Sequence, residues 1–299
     1  MTQLTYLKKY LYEDEIGYVQ IIEAMGGQFT PAEDARMSTD AGSKGPELDA
    51  KLQKRLLTDA HTSPFEGLII KIEMCIPIFV RAELDRHRTI TKTGEQEQEE
   101  IKFTSDEHMR KWFARNEMSS RYIQMPAAYY HPEMIRDQSK TNKQGGSELT
   151  SINQEDADFF RNWGQTVTTE ARKLYDWAIS KGIEKGLARI YNTQNQYTKI
   201  RYTGSFKNWC DVLALRLQDN VLWECRQAAL AIEDLLTTLF PVLMKEWRRS
   251  VYETIKLTRE EIAKLITIIE DAAANIPASP EQKKLEDKLH KFLQGTRSI

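Results

Sequence analysis

Apolar residues recur along this chain with two periods. The run Tyr18-Val19-Gln20-Ile21-Ile22-Glu23-Ala24-Met25 reads as a strand, closed by Gly26-Gly27. Leu68, Ile70, Ile72, Met74 and Ile76 occupy every second position and predict a strand with one apolar face. Elsewhere the spacing is helical. Leu48, Leu52, Leu56 and Leu57 predict a helix over Glu47–Ala60, and a shorter helix is predicted around Ala32–Ser38, before a loop holding Gly42 and Gly45. Pro77 suits the first turn of the next helix, where its missing N–H would be unpaired anyway, and that helix is predicted to run towards Arg88. Long helices are predicted over Glu155–Lys185 and Trp209–Lys245, and two more after Leu257, punctuated by Pro277 and Pro280. Strands early and helices late predict an α+β fold rather than a repeating βαβ unit.

Two stretches break these periods. Thr89–Arg115 opens almost wholly polar (TKTGEQEQEE), then offers Thr104-Ser105-Asp106-Glu107 as a capping box for a short helix carrying Met109, Trp112 and Phe113. An apolar stripe there must cover something, which makes a lid over the active site one reading and an inert surface decoration the other. Ser139–Gln154 is a flexible loop by composition.

Composition narrows the field modestly. Lys and Arg number 42 against 44 Asp and Glu, so no global basic field points to nucleic acid. The opening MTQLTYLKKYLYEDE lacks the apolar run of a signal peptide and no stretch is apolar for long enough to span a bilayer, so a cytoplasmic protein is expected. Three cysteines, Cys75, Cys210 and Cys225, lack metal-ligand spacing, no metal site is expected, and each reads as a packed thiol.

Chemistry gathers around arginines. In a helix running to Arg88, Glu83 lies three residues from Arg86 and four from His87, close enough to pair; Arg86-His87-Arg88 by itself is also what a helix C-terminus favours. Arg216 follows Val212 and Leu213 on an apolar helix and is expected to be largely buried, so it must find a carboxylate, a phosphate or a carbonyl. Glu224 and a residue distant in sequence are both open as structural partners. Ser119 and Arg121 pair a hydroxyl with a forked guanidinium and suit a phosphate, or else form a solvated turn. With no histidine beside Ser119 to activate it, binding is the better role than nucleophilic attack. There is no GxGxxG loop, so dinucleotide binding would not be Rossmann-like.

Arg86-His87-Arg88 and Asn116-Glu117-Met118-Ser119-Ser120-Arg121-Tyr122, rejoined across the polar insertion, read RHR…NExSxRY, which resembles the signature of flavin-dependent thymidylate synthases. Other segments match that family in order: Asp34-Ala35-Arg36-Met37-Ser38, His61-Thr62-Ser63-Pro64-Phe65-Glu66-Gly67, Cys75-Ile76-Pro77-Ile78-Phe79-Val80-Arg81, Thr203-Gly204-Ser205-Phe206-Lys207-Asn208-Trp209 with Leu215-Arg216, and Glu224-Cys225-Arg226. The resemblance implies a mainly antiparallel sheet flanked by long helices. It implies a catalytic domain over residues 1–257 with the insertion at 89–115, and a helical extension over 258–299. It implies reductive methylation of dUMP to dTMP, with FAD as cofactor and methylenetetrahydrofolate and NADPH as co-substrates. A relative that hydroxymethylates a pyrimidine deoxynucleotide, or a non-catalytic nucleotide-binding paralogue, are the alternatives.

By the same resemblance, Arg216 and Arg189 are catalytic and contact the pyrimidine, and Glu83, Arg86, Glu117, Ser119, Ser120 and Arg121 complete the nucleotide site. His61, Arg86, His87, Arg88, Asn116, Glu117, Ser205, Lys207, Asp211 and Asn220 would hold the flavin, in sites shared between the chains of a homotetramer. The chain departs from the family pattern at Glu83 (usually Gln), Gly67 (usually His), and Ser205, Lys207, Asp211 and Asn220 on the flavin side.

Overall fold

The structure is a computed structural model that describes residues 7–85, 113–140, 146, 151–255 and 257–273. Arg86, His87 and Arg88, the capping box, Met109 and Trp112, and the predicted helix beyond Pro280 lie outside the described residues. The chain divides into two compact units, Met1–Tyr252 and Glu253–Ile299.

The first unit is built on a five-stranded antiparallel sheet of order β1-β2-β3-β5-β4, from β1 (Lys8–Tyr10), β2 (Tyr18–Met25), β3 (Ile69–Pro77), β4 (Ala114–Glu117) and β5 (Tyr197–Ser205). The α+β expectation holds, but the strands are not confined to the early chain. The period-two run in β5 places Thr198, Ile200, Tyr202 and Gly204 on the buried face, with Lys199 and Arg201 exposed on the other. β5 pairs with β3 from Ile69↔Ser205 to Pro77↔Tyr197.

The five predicted apolar positions are buried, Leu68 just before β3 and Ile70, Ile72, Met74 and Ile76 within it. They join Val19 and Ile21 of β2 in one core with Trp209, Leu213, Ala228, Ile232 and Leu236 from the helices behind the sheet. The opposite face carries charge: Glu73 accepts from Tyr18 Oη and from Arg201 Nε, both at 2.7 Å.

Among the described residues, three α-helices precede β4: α1 (Thr30–Arg36), α2 (Pro46–Thr58) and α3 (Ile78–Leu84). Pro77 stands just outside α3 as its N-cap, in extended conformation (φ −62°, ψ 150°), rather than in its first turn. After β4 come α4 (Gln154–Ser180), capped by the Asn153 side chain, and the single turn α5 (Lys185–Ala188). The helix predicted over Trp209–Lys245 is three: α6 (Phe206–Arg216), α7 (Trp223–Leu239) and α8 (Pro241–Trp247). The first break is a polar turn at Gln218-Asp219-Asn220, closed by Val221 N–H donating to the Gln218 carbonyl. The second falls at Phe240-Pro241, because proline cannot donate the N–H that a continuous helix would require. Phe113 is not helical; it enters β4 as a bend. In the second unit, α9 (Arg259–Ala273) is the helix described.

Candidate functional site

The predicted nucleotide residues that are described fall on the ends of α3 and α6, on β4 and the turn after it, and, for Arg189, at the end of α5. Arg216 closes α6, with its side chain 16% exposed. It donates from Nη1 to the Glu83 carboxylate at 3.1 Å and from Nη2 to the Glu83 backbone carbonyl at 2.8 Å. Of the two structural partners left open by the sequence, the distant one binds it. Glu224 is buried elsewhere, receiving Tyr130 Oη at 2.8 Å and an ion pair from Arg136. Glu83, at the end of α3, is thus engaged with α6; Arg86 and His87, the partners its helical spacing predicts, lie outside the described residues.

Two turns of α3 also organise β4. Asp85 accepts from Arg81 Nη1 at 2.8 Å and Tyr202 Oη at 2.9 Å, and pairs with Arg115. Burial alone would raise its pKa, but the bonds from Arg115, Tyr202 and Arg81 outweigh it and hold the carboxyl below its usual range. Arg81 reaches on to Glu117 (3.6 Å), which also accepts from Thr198 Oγ1 at 3.0 Å. Sequence reasoning missed Arg81, Asp85, Arg115 and Tyr202. Their one local signal is the Arg81–Asp85 spacing of four on a helix; the rest requires knowing that β4 pairs with β5.

That pairing depends on a glycine. The Phe113 ring lies over Gly204 and packs on Trp209 (4.5 Å between centroids) and Tyr202 (5.9 Å). A Cβ at residue 204 would stand 2.5 Å from the ring, so a side chain there would push Phe113 off the sheet. This gives the Thr203-Gly204-Ser205 motif a steric reason.

Beyond β4 the chain makes a tight turn. The Tyr122 and Ile123 N–H groups donate to the Ser119 carbonyl, and the Arg121 N–H to Ser119 Oγ at 3.3 Å. Ser120 is buried and accepts from Arg189 Nη1 at 3.2 Å, so two predicted nucleotide residues 69 positions apart meet. Arg121 and Arg189 are exposed. Lys185 Nζ donates to the Tyr122 carbonyl (3.1 Å) and Gln124 to Asp176 (3.0 Å), fixing this turn against α5 and α4.

The flavin-side residues make a different kind of contact. Ser205 caps α6, accepting from the Asn208 N–H at 3.2 Å, and Lys207 pairs with Asp211 one turn on at 2.7 Å. Asn116 lines a cavity of about 230 Å³ on the charged face of the sheet, with Glu73, Glu117, Lys199 and Arg201. His61 lies exposed beyond α2, and Asn220 lies exposed in the turn between α6 and α7. Among the described residues no contact joins either to the clusters above. At Gly67 a Cβ would stand 2.2 Å from Asp34 Oδ2, so the glycine lets that carboxylate approach the backbone. A larger cavity of about 420 Å³ lies under α4, lined by Tyr129, His131, Thr168, Arg172 and Asp176 among others. It holds none of the predicted residues, and Arg172 and Thr168 already bond to protein groups there.

All three thiols are held protonated. Burial pushes half-buried Cys75 up to about 11 and Cys225 up to about 12, and raises fully enclosed Cys210 well above its usual value.

Solved structures place this arrangement in a known fold. The chain superposes on a UMP/dUMP methylase PolB from Streptomyces cacaoi bound with 5-Br dUMP (TM-score 0.64, 20% identity, 81% of this chain and 97% of that one). The form bound with 5-Br UMP gives a TM-score of 0.65 at 19% identity, over 82% and 99% of the two chains. The family model described as "Thymidylate synthase complementing protein" matches residues 20–242. The chain is 30% identical over 249 residues to the flavin-dependent thymidylate synthase of Thermus thermophilus, covering 83% of this chain and 82% of that protein. It is 29% identical over 272 residues to that of Dictyostelium discoideum, covering 90% and 80%. The chain belongs to the flavin-dependent thymidylate synthase family and is, as such, an enzyme of the transferase class.

Proposed function

We propose that this enzyme methylates dUMP reductively to dTMP, taking the one-carbon unit from methylenetetrahydrofolate and electrons from NADPH, with FAD as cofactor. The observation that carries the reading is Arg216, a largely buried arginine held in place at both Nη atoms by one residue, together with family membership. The chemical problem is to make carbon 5 of uracil nucleophilic. One route adds a thiolate to the ring, and the protonated state of Cys75, Cys210 and Cys225 speaks against it. The other stabilises negative charge on the ring carbonyls by fixed donors, which is what Arg216 and Arg189 offer. Ser119, Ser120 and Arg121, with Glu117 behind them, would hold the phosphate and so fix the ring's position.

Bound FAD would supply redox chemistry and one-carbon transfer. The residues for it fit in kind. His61, Asn116, Ser205 and Asn220 are hydrogen-bonding groups, and Lys207 is a cation, though one shared with Asp211. As a lysine it offers a point charge and not a fork. The test is to incubate the purified chain with dUMP, methylenetetrahydrofolate, NADPH and FAD and weigh the nucleotide product. Mass gain of a methyl group supports the reading. A hydroxymethyl product, or no product from a flavin-loaded protein, overturns it.

A further inference from the structure

Helix α4 shows solvent a face that soluble chains seldom leave bare. Phe159, Phe160, Trp163, Val167, Leu174 and Trp177 are between 42% and 64% exposed. At 3.6 residues per turn they fall within an arc of about 100° along the whole helix. Phe160, Trp163, Val167, Leu174 and Trp177 follow a three-then-four spacing, with Glu170 at the one intervening position. This is the seam of a two-helix coiled coil. The buried side chains of α4, Thr168, Tyr175 and Ala178, face the body of the same unit from a neighbouring arc, so the stripe is not the surface by which α4 docks on its own chain. Single exposed apolar residues need no explanation, but a contiguous row of this size marks an interface.

The charges on α4 choose the occupant. Its first two turns carry Glu155, Asp156, Asp158 and Arg161, the last paired with Asp158, and so are net acidic; its last turns and the residue after it carry Glu170, Arg172, Lys173, Asp176 and Lys181, with Arg172 paired to Asp176, and so are net basic. A parallel pair would set acid against acid. An antiparallel pair with Phe160 facing Trp177 sets the acidic start of each helix against the basic end of the other and brings Asp156 towards a second Lys181, while Glu170 keeps Lys173 of its own chain at 2.7 Å. A stripe that is self-complementary under a two-fold axis is what an isologous interface requires.

We propose that α4 pairs antiparallel with α4 of a second copy of this chain, burying Phe160, Trp163, Val167, Leu174 and Trp177 of both. The family resemblance implies an assembly but names no surface; this pairing names one. The pairing stands whether or not the proposed reaction does, because its test reads mass and not turnover.

The full chain is measured by sedimentation equilibrium, alone and as Val167→Glu. A dimer or even-numbered assembly is expected, with Val167→Glu weakening association by about tenfold or more, since a charge would be buried unpaired. Val167 is exposed in the single chain, so an unchanged circular dichroism spectrum separates loss of pairing from loss of fold. Orientation is read by disulfide cross-linking in a Cys75→Ser background, Cys210 and Cys225 being buried. Phe160→Cys mixed with Trp177→Cys should give a covalent dimer, and Phe160→Cys alone should not. A wild-type monomer at micromolar concentration overturns the proposal, and one whose Trp163 and Trp177 resist iodide quenching would place a segment of the same chain on the stripe. So would an assembly indifferent to Val167→Glu, which has its interface elsewhere, or self-linking by Phe160→Cys, which is parallel.

Discussion

The two sides of the candidate site are built differently. On the proposed nucleotide side the side-chain contacts of Arg216, Glu117 and Ser120 are long-range: Arg216 to Glu83 spans 133 residues, Thr198 to Glu117 spans 81 and Arg189 to Ser120 spans 69. On the proposed flavin side the side-chain hydrogen bonds described for Ser205, Lys207 and Asp211 join residues three or four apart. Long-range contacts form only when the sheet and helices are assembled, so they position groups to the accuracy of the core. Local helix contacts form wherever α6 forms and fix little beyond it. The proposed nucleotide side is therefore preorganised by folding, while on the proposed flavin side Lys207 and Asp211 are only partly buried on α6 and should be adjustable by substitution without disturbing the fold.

The largest expected effect comes from Arg216→Ala. Removing a preorganised donor at a site of developing charge lowers kcat by about 10²–10³. The pair with Glu83 is partly exposed, so its loss should cost only about 1 kcal/mol of stability. Steady-state turnover and thermal melting together check this. A folded Arg216→Ala protein with near-normal dTMP formation would refute the role. Arg216→Lys should fail as well, since a point charge cannot hold both the Glu83 carboxylate and its carbonyl.

Glu83→Gln sharpens the same contrast with a smaller change. The amide keeps an acceptor for Arg216 but removes the negative charge that Glu83 sets beside the guanidinium. Binding of dUMP, measured by calorimetry, should tighten several-fold, about 1 kcal/mol in all. Weaker binding would mean that the carboxylate is needed to hold Arg216, and that position outweighs charge here.

Asp85 gives the pH dependence of this side. Its carboxyl sits below its usual range when folded, so its contribution is fully present above the unfolded value of about 3.9 and is lost as pH falls through the lowered folded value. Melting temperatures of the wild type and Asp85→Asn should converge on acidification, the mutant being the less stable near neutral pH. A constant gap between the two curves would show that Asp85 does not titrate as a paired carboxylate.

What the sequence disclosed follows the same division. Elements with a clear period were legible to within a residue or two: β2 over Tyr18–Met25, β3 with its alternating buried positions, and α2. The start of α4 was legible too, but the helix ends at Ser180, five residues before the predicted Lys185, ahead of Gly182 at φ 74°. β5 has an equally regular alternation, but Thr203-Gly204-Ser205 was taken as a motif and the strand around it passed unread. The breaks in the run from Trp209 to Lys245 were signalled by Gln218-Asp219-Asn220 and by Pro241, which apolar residues on both sides masked. For the site, burial of Arg216 could be deduced from its helix, but its choice of Glu83 over Glu224 could not. That choice depends on how α3 and α6 meet, and nothing local encodes it. The same holds for Asp85, whose three partners come from α3, β4 and β5.

The smallest effect is expected on the flavin side, where the comparison is easiest to break. Lys207 and Asp211 form a one-turn pair on a helix surface, worth about 0.3–0.5 kcal/mol. Lys207→Ala should therefore leave the melting temperature of the flavin-free protein within about 2 °C of wild type, because so small a loss moves a domain of this size little. In the same protein, flavin retained through gel filtration should fall, since a cation facing the dinucleotide is gone. Lys207→Arg, which restores a forked donor, should raise retention above wild type with no change in melting. If Lys207→Ala instead lowers the melting temperature by many degrees, the lysine holds the fold and the two sides are not built differently. If melting and flavin retention both stay at wild-type levels in all variants, Lys207 takes no part in flavin binding and that face of α6 needs another role.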